Sequence, residues 1–189
     1  MEPNKTCLVI SASIKPMACL ICEERIFAPD ENASLPAQIE SVCRQASVKL
    51  SDIPDLYVDV GPGSFTGARI ACAIAKGFGL LGMDIFTFSS LDLGAHLSPH
   101  QGQFIVLLDA RRDNVYLGKY EKREVLTRLT QPALVFRDSL NHSLPIYELK
   151  EFSVDDMAEY VLNNRPFQKQ TAFLISPVYL YPMDCSIRK

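Results

Sequence analysis

The chain has 189 residues, 48% of them apolar and 22% charged, and a formal net charge of −3. That composition supplies a real core for one sizeable domain or two small lobes, and its acidic balance excludes the broad positive field of a stand-alone nucleic-acid binder. No apolar run approaches the roughly 18–20 residues that cross a bilayer, and the opening MEPNKT lacks the regions of a secretory signal, so a cytoplasmic, membrane-free protein is expected.

Residues 7–11, 17–23 and 25–27 read as three short strands of an antiparallel meander, with turns at Lys15-Pro16 and Glu24-Arg25. Cys19 and Cys22 form a CxxC, but a strand points them to opposite faces and no second pair or histidine follows at zinc spacing. They and Cys7, Cys43 and Cys72 read as free structural thiols in apolar segments. Ser34 then offers a cap, Pro36 suits a first turn, and Leu35, Ile39, Val42, Cys43, Ala46 and Leu50 mark one apolar face of a helix reaching about Lys49.

A buried strand over 56–60 leads into GPGSFTGARIACAIAKGFG, a glycine-proline turn followed by a helix over 64–79 that Ser64 or Thr66 can cap. Gly67, Ala71, Ala75 and Gly79 recur every fourth residue, a stripe on which another helix can dock closely, either within the domain or from a partner. Gly61, Gly63 and Gly67 imitate a nucleotide-binding spacing, but this is not the first strand, and Asp84 precedes the next strand instead of ending it. No Gly-Lys-Ser/Thr follows for a Walker loop, and Pro62 and Thr66 flank Ser64 where a nucleophile elbow needs glycines.

A strand over 85–88 and a short helix from Ser90, stopped by Pro99, complete a βββαβαβα unit over residues 1–100. His96 and His100 have the spacing of a metal pair, yet Pro99 keeps them off one helical face and no glutamate follows His96. After a His100-Gln101-Gly102 linker, a smaller unit over 103–189 begins with paired strands at 104–109 and 114–119. The cations Arg111, Arg112, Lys119, Lys122, Arg123 and Arg128 alternate with Asp113, Glu121 and Glu124, the pattern of a solvated hairpin. A loop-rich segment with Pro132 and Pro145, a helix over 154–163 with Ser153 and Asp155-Asp156 at its start, and an extended tail over 177–181 follow.

At GPGSFTGARIACAIAKG, SSLDLGA (89–95), LDARRDNVYLGKY (108–120) and PVYL (177–180) the chain resembles the TsaB family, also called YeaZ, the non-catalytic subunit of the bacterial machinery that installs threonylcarbamoyladenosine in tRNA. The resemblance implies an α/β fold of the actin/Hsp70-like (ASKHA) two-lobe type, with a truncated second lobe because this chain is short. It also implies pairing with a TsaD-type catalytic subunit through the helices at 35–49 and 64–79. The expected interface is Gly63, Ser64, Phe65, Thr66, Gly67, Arg69, Ile70, Ala71, Ala75 and Lys76. A TsaE-type ATPase in the assembled complex, a homodimer in the partner's absence, and contact with tRNA only through the complex are further implied. No catalytic residue, metal or cofactor is expected.

Where the family begins with Ile-Asp-Thr-Ser, this chain has Ile10, Ser11, Ala12 and Ser13, so a metal-orienting carboxylate is missing; the family's His-Ser-Glu is here Asp30, Glu31 and Asn32. Asp109 is expected to order Arg111 or its turn through a salt bridge. Two alternatives stand beside this reading, a nucleotide- or metal-dependent enzyme of the same fold and a homodimeric adaptor.

Overall fold

Cys7–Ser11, CLVIS, forms β1 and is buried at every position, which requires cover on both faces of its sheet. In this computed structural model, residues 6–23, 25–29, 32–140, 143–164 and 167–180 are described. Glu24, Asp30, Glu31 and Tyr181, which carry part of the expected turn, substitution and tail, lie outside them. β2 (Met17–Cys22) and β3 (Arg25–Phe27) follow β1 antiparallel. β4 (Asp55–Asp59) and β5 (Asp84–Phe88) add in parallel on its other side.

The period-two alternation of β1 divides its cover. Leu8 and Ile10 join a cluster with Leu20, Val58, Ile39, Val42, Ala71 and Ala75, the last four from α1 (Leu35–Ala46) and α2 (Phe65–Leu80). Cys7 and Val9 face the opposite cluster, shared with α3 (Ser90–Leu97), α4 (Val154–Asn163) and Phe104, Val106 and Leu108 of a second sheet. That sheet contains β6 (Gly102–Arg111), β7 (Asn114–Lys122), β8 (Leu126–Arg128), β9 (Ala133–Phe136) and β10 (Ile146–Leu149), in the order β10-β6-β7-β8 with β9 also on β7. The last three are strands within the segment that reads as loop-rich in sequence.

Gln38 fixes α1 on β2. Its Oε1 accepts from the Ala18 N–H at 2.9 Å, and its Nε2 donates to the carbonyls of Pro16 and Ala33 at 3.0 and 2.9 Å. The helix stops at Ala46, short of Lys49, because Ser47 turns left-handed (φ 56°) and its N–H closes on Arg44 O. α4 carries the capping box of Ser153 and Asp156. The chain then returns to the first sheet. β11 (Lys169–Gln170) pairs with β5, and the Val178 N–H donates to Val60 O at 2.8 Å. α4 thus packs in the core between the two sheets, and the segment over 169–178 returns to the first.

Three charged groups, Asp92, Arg128 and Lys122, fasten α3 to the second sheet. Asp92 receives Tyr120 Oη and Arg128 Nε, each at 2.9 Å, and Lys122 Nζ donates to the carbonyls of His96 and Ser98 at the helix end, at 3.0 and 2.9 Å. Arg128 and Lys122 are therefore fasteners between elements, a correction to the solvated-hairpin expectation. The Arg123–Glu121 pair, 2.9 Å, fits that expectation. No helix among the described residues is long and apolar enough to cross a membrane.

Candidate functional site

The turn after β4 is gripped by the turn after β1. The Ser64 N–H donates to Ser13 O at 2.6 Å; a Cβ on Gly63 would fall on Ser13, and one on Gly67 would overlap the Ala12 carbonyl. Glycine is obligatory at both positions because backbone passes against backbone. Ser64 Oγ caps α2 by accepting from the Gly67 N–H at 3.3 Å.

The small stripe of α2 consequently faces inward. Ala71 and Ala75 are fully buried, Gly67 lies on β1, and Gly79 rests against Ala172 and Ile85. Of the expected interface, Ala71 and Ala75 are buried against the protein's own first sheet, and Gly67 is half-buried against Ala12. Phe65, Thr66, Arg69 and Ile70 are exposed, while Gly63, Ser64 and Lys76 are half-buried. The outward ridge continues through Ala73, Gly77 and Leu80 to Leu81, which is 80% exposed.

This ridge and α1 enclose an apolar groove of about 690 Å³ lined by Pro36, Ile39, Glu40, Cys43, Leu50, Ile74, Gly77, Phe78, Leu80 and Leu81. Glu40 is the only charged residue of its lining. Gly77 lies open within it, since a Cβ there would meet nothing within 4 Å. The missed residues had a signal in the sequence: Leu80-Leu81 directly before Gly82 places two large apolar side chains at a helix end.

On the opposite side of the GPGSFTG turn lies a buried polar cluster. Asp59 is fully buried at the end of β4. Its carboxylate accepts from Ser11 Oγ at 2.7 Å, from Ser13 Oγ, from Ser90 Oγ at 2.9 Å, and from the Gly61 N–H at 2.8 Å. Burial holds this carboxyl above its usual range, and the hydrogen bonds from Ser13, Gly61, Ser11 and Ser90 oppose the shift. Every donor is internal, so the group links β1, β4, the turn and α3. An acid inside LYVDV is visible in the sequence, but its partners come from positions far along the chain.

Above this cluster a cleft of about 490 Å³ opens between the sheets, with Ser13, Ser64, Phe65 and Thr66 on one wall and Asp109, Arg111, Tyr116, Glu148 and Lys150 on the other. Arg111, Arg112 and Asp113 all take left-handed backbone (φ 66°, 52° and 58°), a turn steadied by Asn114 Nδ2 donating to Arg112 O at 2.9 Å. Asp109 pairs with Arg137, at 3.8 Å, and not with the expected Arg111. His96 meets Asn164 and the ring of Tyr160, whereas His100 meets Ile146 O and Phe104, so the two imidazoles have separate surroundings. Asp155 and Asp156 occupy the first turn of α4. Cys7, Cys19, Cys43 and Cys72 are buried, and burial pushes the Cys72 thiol up to about 11.

A family model described as TsaD, tRNA N6-adenosine threonylcarbamoyltransferase, matches residues 27–161. The chain belongs to this family. It is a TsaB/YeaZ homologue within it: the tRNA threonylcarbamoyladenosine biosynthesis protein TsaB of Bacillus subtilis is 33% identical over 101 residues, 52% of this chain and 44% of that protein. An uncharacterized protein of Mycoplasma genitalium is 28% identical over 190 residues, 94% of this chain and 95% of its own length. The solved structure of YeaZ from Pseudomonas aeruginosa superposes with a TM-score of 0.73 at 19% identity, over 93% of this chain and 100% of that one. The mixed α/β fold with two sheets is thus the YeaZ fold.

Proposed function

We propose that this TsaB homologue is a non-catalytic subunit in tRNA threonylcarbamoyladenosine synthesis that binds and activates a TsaD-type catalytic subunit, with α1 and α2 as its docking face. The observation that carries the reading is the groove between these helices, apolar and open, with Leu80 and Leu81 64% and 80% exposed at its end. Apolar surface of this kind is stabilised by being covered. Activation then follows if the subunit grips one conformation of its partner better than another.

The absence of catalysis is part of the same proposal. Ser11, Ala12 and Ser13 stand where the resemblance places a carboxylate, and the nearby Asp59 carboxylate is buried and committed to four internal donors. The first sheet's order β3-β2-β1-β4-β5-β11, with its opening meander, supports the actin/Hsp70-like assignment with a shortened second lobe. A TsaE-type ATPase completes the proposed assembly, and a second copy of the chain is the alternative occupant of the groove when the catalytic subunit is absent. Threonylcarbamoyl transfer assayed with the catalytic subunit, with and without this chain, tests the proposal: stimulation is expected, and equal rates would overturn it.

A further inference from the structure

We propose that the mouth of the cleft between the sheets is a contact surface for unpaired RNA. This rests on reading the chain as part of a tRNA-modifying assembly, and it puts direct contact by this chain in place of the expectation that tRNA is reached only through the complex. Phe65, in the first turn of α2, is 59% exposed. Its ring lies 5.5 Å from that of Tyr179, 44% exposed, and Arg69 sits over it at 4.8 Å from the centroid. Tyr116 lines the same cleft as Phe65, together with Arg111 and Lys150.

Phe65 and the half-buried Tyr116 thus border two adjoining hollows, the cleft with Arg111 and Lys150 and a smaller pocket with Tyr179, while Arg69 covers the Phe65 ring, in a chain whose net charge is −3. The two carboxylates of the cleft wall, Asp109 and Glu148, share the one guanidinium of Arg137, at 3.8 and 2.8 Å, which leaves that wall one net negative charge against the cations Arg111 and Lys150. Arg69, Arg111 and Lys150 have no carboxylate partner among the described residues. Exposed rings beside unneutralised cations are what a single strand requires: bases stack on the rings and phosphates meet the cations. Duplex RNA hides its base faces, so it engages only the cations. A protein partner at this mouth would be favoured by continuous apolar surface, which is found instead in the groove at the other end of α2.

The test is fluorescence anisotropy of a labelled short oligouridylate, and of an RNA duplex of equal length, titrated with the full chain. The single strand is expected to bind more tightly than the duplex and to weaken about tenfold between about 50 and 200 mM salt. Phe65→Ala is expected to weaken it by at least about fivefold, and Arg111→Glu to reduce both binding and its salt dependence. Equal affinity for the duplex, or binding unaltered by Phe65→Ala with its circular dichroism unchanged, would overturn the proposal. So would loss of catalytic-subunit pairing on Phe65→Ala with RNA affinity intact, which would make the mouth a protein contact. Gly77→Glu, in the groove, is expected to leave RNA affinity unchanged. RNA binding by wild type without pairing would contradict the docking reading alone, and pairing without RNA binding would contradict this one alone.

Discussion

Ser90 Oγ lies 2.9 Å from both carboxylate oxygens of Asp59, so the first residue of α3 is tied to the last residue of β4. Ser11 and Ser13 approach the same carboxylate from the end of β1, and the Gly61 N–H approaches it from the turn that starts α2. One buried group thereby sets the relative positions of four segments around the candidate site. Replacing Asp59 by Ala strands these donors in a dry interior, and the expected cost is about 2–4 kcal/mol, read as a lowered urea midpoint.

The same group makes a pH prediction. Burial raises the folded-state pKa of Asp59 above its ordinary value of 3.8. The stability it contributes is therefore fully present below that value and is lost as pH rises through the folded pKa. Asp59→Asn carries no such titration. Urea unfolding from about pH 4 to pH 7 should show wild type losing stability relative to Asp59→Asn; a difference that stays constant or moves the other way contradicts the assignment.

The glycines of α2 separate packing from docking. Gly67→Ala places a methyl on the Ala12 carbonyl, and Ala71→Leu forces bulk into a site that is fully buried. Each should destabilise the protein, the second by about 1–3 kcal/mol. Gly77→Ala has open space around the added carbon and should stabilise the helix by about 0.5–1 kcal/mol. Thermal unfolding monitored by circular dichroism should place Gly77→Ala above wild type and the other two below it.

Tyr120 gives a matched pair in the second sheet. Its hydroxyl donates to Asp92, which also holds Arg128, and Tyr120→Phe should cost about 1 kcal/mol. Asp92→Ala leaves the buried hydroxyl and the guanidinium without their acceptor and should cost more, about 2–3 kcal/mol. Equal effects in chemical denaturation would show that the carboxylate holds only one of them.

Much of the first sheet is readable from local pattern. The apolar run Cys7–Ile10 of β1, the Ser153 cap of α4 and the GPG turn follow from short-range chemistry, whereas Ser34 holds the position before α1 without a side-chain cap hydrogen bond. The direction of the α2 stripe is not local. Small residues every fourth position permit close approach, but whether the approaching backbone is β1 or another molecule depends on where Ala12 lies in space. The strands β8–β10 are short and half-exposed, so their alternation is weak, and β9 and β10 gain their place from β7 and β6. Arg128 and Lys122 read as surface cations because their partners on α3 are 36, 26 and 24 residues away in sequence.

Size-exclusion chromatography of this chain with the TsaD-type subunit of the same organism, wild type beside Gly77→Glu, tests the docking face most directly. Gly77 is open to solvent in the groove, so the glutamate should leave the circular dichroism spectrum native while placing a charge in an apolar contact. Wild type is predicted to co-elute with the catalytic subunit and Gly77→Glu to elute separately from it. Co-elution of a folded Gly77→Glu variant at the wild-type ratio, or no co-elution of wild type, would contradict the proposed role of the α1–α2 groove.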